Sequence, residues 1–259
     1  MGENAISHMN QGLPSSSKEV SDQDGYIRLN KWISNAGVCS RREADALIQA
    51  GRISVNGQKV TTLGYQIRPT DIVKFRDAIL KPNKNVYILF NKPRNCITTA
   101  FDPEGRRTVL DFIGDACQER VYPVGRLDRN TTGLLVLTND GDVAQKLAHP
   151  SYQIKKIYQV ELATAIRPRD LEAIQSGVKL KDGIVEVDSI FTLEGDESKL
   201  GIEIHSGKNR IIRRLFEHLG YQIINLDRVM YANLTKKDVP RGKWRFLTNQ
   251  EISYLKCLR

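Results

Sequence analysis

The chain has 259 residues, of which 40% are apolar and 27% charged, with a net charge of +9. This length and apolar fraction exclude a largely disordered chain and predict a globular protein with one large or two smaller domains. The positive charge indicates a polyanionic partner, and we expect nucleic acid, although a basic surface can also simply be solvated.

The cysteines and the N-terminus exclude several classes of protein. Cys39, Cys96, Cys117 and Cys257 show no Cys-x-x-Cys spacing and no accompanying histidine pattern, so we expect neither a metal site nor a disulfide scaffold. Signal-peptide and membrane-length apolar runs are absent from the sequence, which predicts a cytoplasmic protein with no membrane partner. Residues 1–25 are polar and aperiodic, and we expect a flexible tail that is in part an expression tag.

Residues 26–75 are predicted to form a small unit of helices and a hairpin. Apolar residues at 29–36 follow helical spacing. Ser40 and Glu43 fit a capping box, which opens a second helix. Asn56-Gly57, placed between short apolar alternations, predicts a tight β-hairpin.

The residue pattern of this unit resembles an S4 RNA-binding domain. The similarity runs through R-L-N-K-W-I-S-N-A-G-V-C-S-R-R-E-A-D at 28–45 and G-R-I-S-V-N-G at 51–57. It implies that Arg41 and Arg42, at the start of the second helix, contact RNA phosphates. Such contacts position the RNA and add salt-dependent affinity, but carry little sequence information. By charge alone, the same arginines could belong to a solvated surface.

A linker is predicted at 76–84, where Pro82 and Asn83 interrupt regular structure. The second domain then spans 85–259 and opens with a buried strand at 86–90. Strands and helices follow without the regular β-α alternation of a doubly wound fold, so we expect an α+β domain with a mixed sheet. The further predicted strands are 134–138, 157–162, 184–193 and 200–205, and the predicted helices are 142–147, 168–176 and 209–219.

Residues 125–141, G-R-L-D-R-N-T-T-G-L-L-V-L-T-N-D-G, are the most informative stretch of the chain. Gly125 and Gly133 permit backbone conformations that other residues resist, so we expect a tight loop between them. Asp128 lies between two arginines, whose charges favour an ionised carboxylate suited to a nucleophile or an electrostatic catalyst. From the chemistry alone, an aspartate that merely shapes the loop is an equal alternative.

The same stretch resembles the signature of the ribosomal-RNA pseudouridine synthases, in the branch that includes RsuA and RluB, with a dense match over about seventeen residues. The resemblance implies that Asp128 is the essential catalytic residue. It also implies a largely antiparallel sheet with the active-site cleft across its face. No metal and no organic cofactor is expected. Arg126, in the same loop, is expected to contact RNA.

The segment K-I-Y-Q-V at 156–160 matches the family's second motif. Period-two alternation places Lys156, Tyr158 and Val160 on one face of a strand. A tyrosine at such a position ordinarily packs across the sheet. The resemblance implies instead that Tyr158 packs against the target base, and we expect Lys156 to contact RNA.

An amphipathic helix is predicted after Gly207. Its apolar stripe leaves Arg210 on the opposite side and places Arg213 and Arg214 near the two edges. An arginine at an edge can reach a cleft while its stem packs on the core, although such charges more often face solvent. The segment resembles the family's third motif, which implies that Arg213 pairs with Asp128. The neighbouring residues expected to contact RNA are Lys208, Asn209, Arg210 and Arg214.

The sequence therefore predicts a monomeric enzyme that isomerises one uridine of ribosomal RNA, either free or in a ribosome-assembly intermediate. R-G-K-W at 241–244 and the S4-like unit favour 23S over 16S RNA. An RNA-binding or assembly factor with an inactive second domain would share the charge, but the joint presence of Asp128, Tyr158 and Arg213 argues against it. A hydrolase using Asp128 is a weaker alternative, because no partner base or metal cluster accompanies it.

Overall fold

A computed structural model describes residues 25–114, 116–193 and 195–258, so the tail predicted at 1–25 lies outside the described residues except for Gly25. The chain folds into two compact units, which divide between Pro82 and Asn83. Within the described ranges, no helix has the length and apolar character that crossing a bilayer requires.

The first unit combines two helices with short strands. Leu29, Trp32 and Ile33 from the first helix share one apolar core with Ile48 of the second helix and Ile53 of a strand. The elements in chain order are β1 (Ile27–Arg28), α1 (Leu29–Asn35), α2 (Arg41–Gln49), β2 (Ile53–Val55), β3 (Gln58–Val60), β4 (Gln66–Ile67), β5 (Val73–Phe75) and β6 (Ala78–Ile79). β1 pairs with β4, and the other strands form an antiparallel sheet in the order β3-β2-β5-β6.

Two local predictions for this unit are confirmed. The Ser40 hydroxyl accepts a hydrogen bond from the Glu43 amide, and the Glu43 carboxylate accepts one from the Ser40 amide, which completes the capping box of α2. Asn56 and Gly57 both take positive φ angles, 50° and 84°, in the turn between β2 and β3. Positive φ at both central residues is the requirement of a type I′ hairpin turn.

The predicted linker differs from the structure at its start. Arg76 and Asp77 also take positive φ angles, 49° and 67°, and close a second hairpin. Ala78–Ile79 therefore form β6, paired with β5, rather than part of a linker. The sequence carried no glycine signal at this turn, because an arginine and an aspartate occupy the two left-handed positions.

The second unit is built on one large sheet. Its elements are β7 (Tyr87–Lys92), α3 (Leu110–Ile113), β8 (Tyr122–Pro123), β9 (Thr132–Thr138), α4 (Gly141–Ala148), a 3₁₀ turn (Pro150–Tyr152), β10 (Lys156–Leu162), α5 (Pro168–Ser176), β11 (Val178–Leu180), β12 (Gly183–Val185), β13 (Ser189–Leu193), β14 (Asp196–Ile204), α6 (Ile211–His218), β15 (Ile223–Tyr231), β16 (Leu234–Thr235), β17 (Trp244–Phe246) and α7 (Asn249–Cys257).

Nine of the described strands join in this sheet. Its order is β13-β14-β10-β15-β9-β7-β17, with β16 beside β15 and β8 beside β9. Among these pairings β15 and β9 run parallel, and the others are antiparallel. The predicted α+β fold with a mixed, largely antiparallel sheet is confirmed.

Several elements differ from prediction. The strand predicted at 184–193 is two strands, β12 and β13. The helix predicted from 209 begins at Ile211, because Arg210 takes a left-handed conformation with φ of 47°. β15, in the middle of the sheet, was not predicted, because Asp227 and Arg228 interrupt its apolar pattern.

The apolar face of α6 fixes the orientation of this helix. Ile211, Ile212, Leu215 and Phe216 are buried and pack in one core with residues of β10 and β14. Burial of each such side chain contributes about 1.5–3 kcal/mol. The predicted apolar stripe is therefore confirmed, and it leaves Arg213 at an edge of the helix that borders a pocket.

Candidate active site

A pocket in the second unit gathers most of the predicted site residues. It lies between the loop that precedes β9, the face of β10 that carries Lys156 and Tyr158, the start of α6 and β15. The predicted residues that line it are Arg126, Asp128, Lys156, Tyr158, Lys208, Arg210 and Arg213. Within the described ranges, no group of three or more histidine, cysteine, aspartate or glutamate side chains could hold a metal ion.

Four predicted RNA-contacting residues are not part of this pocket lining. Arg41 and Arg42 are exposed at the start of α2 in the first unit. Asn209 is exposed in the segment before α6. The Arg214 side chain forms an ion pair with Asp182 at 2.7 Å and donates to the Asn209 carbonyl at 2.9 Å, so it is held against the protein.

Asp128 and Arg213 form an ion pair inside the pocket. Arg213 Nε lies 3.3 Å from Asp128 Oδ2, and the arginine and aspartate side chains are 16% and 33% exposed. Arg213 Nη2 also donates to Thr131 Oγ1 at 3.1 Å. The guanidinium therefore bridges the carboxylate and the loop that carries it, which restricts the orientation of both.

Lys92, at the end of β7, holds the same loop from within the protein. Its side chain is fully buried, and Nζ donates to the carbonyls of Asp128 at 3.0 Å, Arg129 at 3.2 Å and Thr131 at 2.9 Å. Burial lowers the pKa of Lys92 to about 8. We did not predict this role. The available signal was a lysine at the end of an otherwise apolar strand.

The two glycines of the loop take the conformations that were expected. Gly125 has φ of 69° and Gly133 has φ of 107°. A Cβ at Gly133 would lie 2.2 Å from the Arg228 carbonyl oxygen on β15. Because no side chain fits there, glycine is required for the parallel approach of β9 and β15.

The hydroxyl of Thr98 holds the residue before Asp128. Thr98 Oγ1 donates to the Leu127 carbonyl at 2.8 Å and accepts from the Leu127 amide at 3.3 Å. Together with Lys92, this contact leaves little freedom to the backbone on either side of Asp128. A constrained backbone keeps a reactive side chain in one geometry without reorganisation during a reaction.

Lys156 and Tyr158 lie on the face of β10 that lines the pocket. Lys156 Nζ donates to the carbonyls of Ile154 at 3.0 Å and His205 at 2.8 Å, so part of its donor capacity is used inside the protein. Burial, and secondly the charge of Arg228, lower the pKa of Lys156 to about 8. Tyr158 is partly buried against the core that also contains α6.

Asp227 of β15 belongs to a separate buried network. Its carboxylate accepts hydrogen bonds from Thr132 at 2.7 Å, from Arg241 at 2.8 Å and from Lys236. Burial alone would raise the pKa of Asp227, but the hydrogen bonds from Arg241, Lys236 and Thr132 lower it to about 2. Arg241 of the R-G-K-W segment thereby ties the C-terminal part of the chain to the sheet.

Comparison with known proteins gives the family. Residues 86–218 match the RNA pseudouridylate synthase family, and residues 27–73 match the S4 domain. The first match covers half of the chain and contains Asp128, Tyr158 and Arg213.

The chain belongs to the RNA pseudouridine synthase family. It is 40% identical to ribosomal large subunit pseudouridine synthase B of Bacillus subtilis (strain 168) over 236 residues, which cover 89% of this chain and 96% of the relative. It is 35% identical to the dual-specificity RNA pseudouridine synthase RluF of Escherichia coli (strain K12), covering 88% of this chain and 78% of that protein.

A solved structure is similar over nearly the same extent. A crystal structure of a pseudouridylate synthase aligns with 26% identity and a TM-score of 0.63, covering 88% of this chain and 99% of that one. The resemblance to an S4-containing pseudouridine synthase of the RsuA and RluB branch is therefore confirmed. The chain is an RNA pseudouridine synthase.

Proposed function

We propose that this synthase converts one uridine of 23S ribosomal RNA to pseudouridine, with Asp128 acting on the nucleoside. The observation that carries the proposal is the ion pair between Asp128 and Arg213, in a pocket that Tyr158 also lines. The similarity to a ribosomal large subunit synthase supports this choice of RNA. The S4 domain supplies additional contacts to the same RNA.

The target base leaves the RNA stack to reach Asp128. A uridine in folded RNA cannot present its base faces to a side chain, so it is flipped into the pocket, where Tyr158 stacks on the uracil. Arg126, Lys208 and Arg210 contact the phosphates that flank the flipped nucleotide. Leu127, Ile211 and other apolar side chains of the lining limit access of water to the separated sugar.

The reaction exchanges one bond for another within a single nucleoside. The bond between ribose C1′ and uracil N1 breaks, the uracil turns, and a bond forms between C1′ and C5. The proton on C5 is removed and N1 gains a proton, so nothing is oxidised, reduced or hydrolysed and no cofactor is required. Asp128 either adds covalently to the nucleoside or assists cleavage of the glycosidic bond, while Arg213 orients its carboxylate.

The choice of RNA is tested by mapping pseudouridines in cells that lack the gene. We expect one pseudouridine to disappear from a stem-loop near the peptidyl-transferase region of 23S RNA, and to return when the wild-type chain is expressed. The Asp128→Asn chain provides the matched control and should not restore it. Loss of a modification in 16S RNA alone would contradict the 23S assignment, and unchanged modification of all RNA would contradict the proposed function.

The role of the first unit is tested by the double change Arg41→Ala with Arg42→Ala. If both arginines contact phosphates, RNA binding should weaken, and the slope of log K against log salt should become shallower by about 1 for each phosphate that is no longer neutralised. Turnover at saturating RNA should change little, because the chemistry lies in the second unit. Binding titrations over a range of salt concentrations measure both effects.

A matched control removes the same charge from the same unit. Arg52 and Lys59 are also exposed, and their double change to alanine has the same effect on net charge. If both double variants lower the affinity and the salt slope equally, Arg41 and Arg42 contribute only to the general field of a basic surface. Unchanged binding by the Arg41/Arg42 variant would show that these two side chains face solvent and do not contact the RNA.

A further inference from the structure

Arg228 is a buried cation in the pocket that the family signature did not reveal. Its side chain lies on β15 and the residue is 3% exposed. Nε donates to the Leu134 carbonyl at 2.8 Å, and the guanidinium carbon lies 4.2 Å from the centre of the Tyr231 ring. Nη2 is buried and has no hydrogen-bond partner among the described residues. An unsatisfied buried donor is rare in folded proteins and calls for an explanation.

The position of Arg228 is enforced by the backbone. β10 pairs with β15 so that Ile157 lies opposite Met230 but Tyr158 lies opposite Arg228, which leaves Val229 as the extra residue of a β-bulge. Bulges re-aim side chains and are frequent beside active sites. On the other edge of β15, Gly133 admits the Arg228 backbone where any Cβ would collide. Arg228 and Tyr158 are thus neighbours on one face of the sheet.

The pocket contains more positive than negative charge. Among the described residues of its lining, Asp128 is the one that carries a carboxylate, and this carboxylate is already paired with Arg213. Lys156 and Arg228 are close enough that the charge of Arg228 contributes to lowering the pKa of Lys156. Two neighbouring cations in a partly buried site disfavour each other, so the pocket is suited to a bound group that carries negative charge.

We propose that Arg228 is a catalytic residue that donates from Nη2 to a carbonyl oxygen of the flipped uracil and stabilises the uracil anion. This inference rests on the proposed function. When the bond from C1′ to N1 breaks, its electron pair stays with the uracil and is shared between N1 and the carbonyl oxygens. C5 then forms the new bond to C1′, the C5 proton is removed, and N1 takes up a proton. A preformed donor in a water-poor site is most effective when charge develops on its acceptor.

A base carbonyl explains the burial of Arg228 better than a phosphate does. Backbone phosphates are strongly hydrated and remain with the RNA strand outside the pocket. The more exposed Arg126, Lys208 and Arg210 are available to contact them there. The flipped base is the part of the nucleotide that enters the pocket. Because Tyr158 lies directly opposite Arg228 in the sheet register, a uracil stacked on Tyr158 is brought close to the guanidinium.

The test compares wild type with Arg228→Gln on two substrates. Both are the same stem-loop RNA, with uridine or 5-fluorouridine at the target position, and the rate of glycosidic-bond loss is measured in a single turnover. Fluorine makes the departing uracil anion more stable, so that its departure depends less on stabilisation by the enzyme.

We expect Arg228→Gln to slow the loss of the glycosidic bond by about 100-fold with uridine. With 5-fluorouridine we expect the fold-loss of this rate to be smaller than with uridine, by a factor of about ten or more. The affinity of the variant for both RNAs should be retained. Arg245→Gln, which alters an arginine paired with Glu251 outside the pocket, should change neither rate.

Other outcomes would overturn the inference. An equal loss on both substrates would indicate that Arg228 only supports the fold, and weakened RNA binding with an unchanged step would indicate a phosphate contact. If Arg228→Gln does not fold, Arg228→Lys is compared with wild type on the same two RNAs, and an equal loss would again contradict the proposal. A wild-type chain that leaves uridine unchanged in every RNA tested would instead refute the proposed function.

Discussion

Asp128→Asn is expected to abolish uridine isomerisation while leaving the protein folded. The change keeps the shape of the side chain but removes its negative charge and its nucleophilic oxygen, so the loss should be on the order of 10⁴-fold or more. The loop itself is held by Lys92 and Thr98 through backbone groups of Asp128 and Leu127, which the substitution does not touch. Pseudouridine formation, melting temperature and RNA affinity are measured on the same preparation.

RNA affinity should be retained or slightly increased in Asp128→Asn, because one carboxylate is removed from a basic pocket. Asp182→Asn is the matched control, since it removes the same charge from the second unit at a residue outside the pocket lining. It should keep full activity. Substantial pseudouridine formation by well-folded Asp128→Asn would refute a mechanism centred on this residue, and a large fall in melting temperature would favour a structural aspartate.

Arg213→Gln is expected to give the second large effect. Without the guanidinium, Asp128 loses its ion pair and Thr131 loses a hydrogen bond, so the carboxylate is free to leave its working orientation. A misplacement of about 1 Å costs about 100-fold in rate, and we expect a loss of this size in the single-turnover rate. RNA affinity should fall much less than the rate does.

Arg214→Gln provides an unusually close control. It makes the same arginine-to-glutamine substitution at the next residue of the same helix. Arg214, however, forms its ion pair with Asp182, which is outside the pocket lining. Its single-turnover rate should remain near that of wild type. In the double variant Asp128→Asn with Arg213→Gln, the loss should be little greater than for Asp128→Asn alone, because both residues act as one unit. Equal effects of the Arg213 and Arg214 changes would contradict the assigned pairing.

Short-range features were predicted best. The capping box of Ser40 and Glu43 and the turn at Asn56-Gly57 depend on hydrogen bonds and φ angles within a few residues, so the sequence contains all of the relevant information. The apolar stripe of α6 was equally accessible, because helical periodicity repeats within eight residues. The family itself was identified from the dense pattern around Asp128.

Features that depend on distant partners were missed. Lys92 and the loop at Asp128 are 36 residues apart in sequence, and nothing near Lys92 shows that backbone carbonyls will surround its ammonium group. β15 carries Asp227 and Arg228, whose charges make it resemble a surface segment. They are buried because Lys236 and Arg241 neutralise Asp227, while Arg228 lies over Tyr231.

The sequence by itself therefore determined the S4 domain and the class of the second domain, and it singled out most of the charged residues that line the pocket. Local propensity, periodicity and a family-specific pattern are all properties of contiguous residues. Helical periodicity placed Arg213 and Arg214 alike at the edges of α6, and the resemblance to the family's third motif singled out Arg213. The tertiary structure places the Arg213 guanidinium against Asp128 and the Arg214 guanidinium against Asp182. The tertiary structure also decided that Arg228 lies opposite Tyr158, because a bulge in one strand and a glycine in another set that register across the sheet.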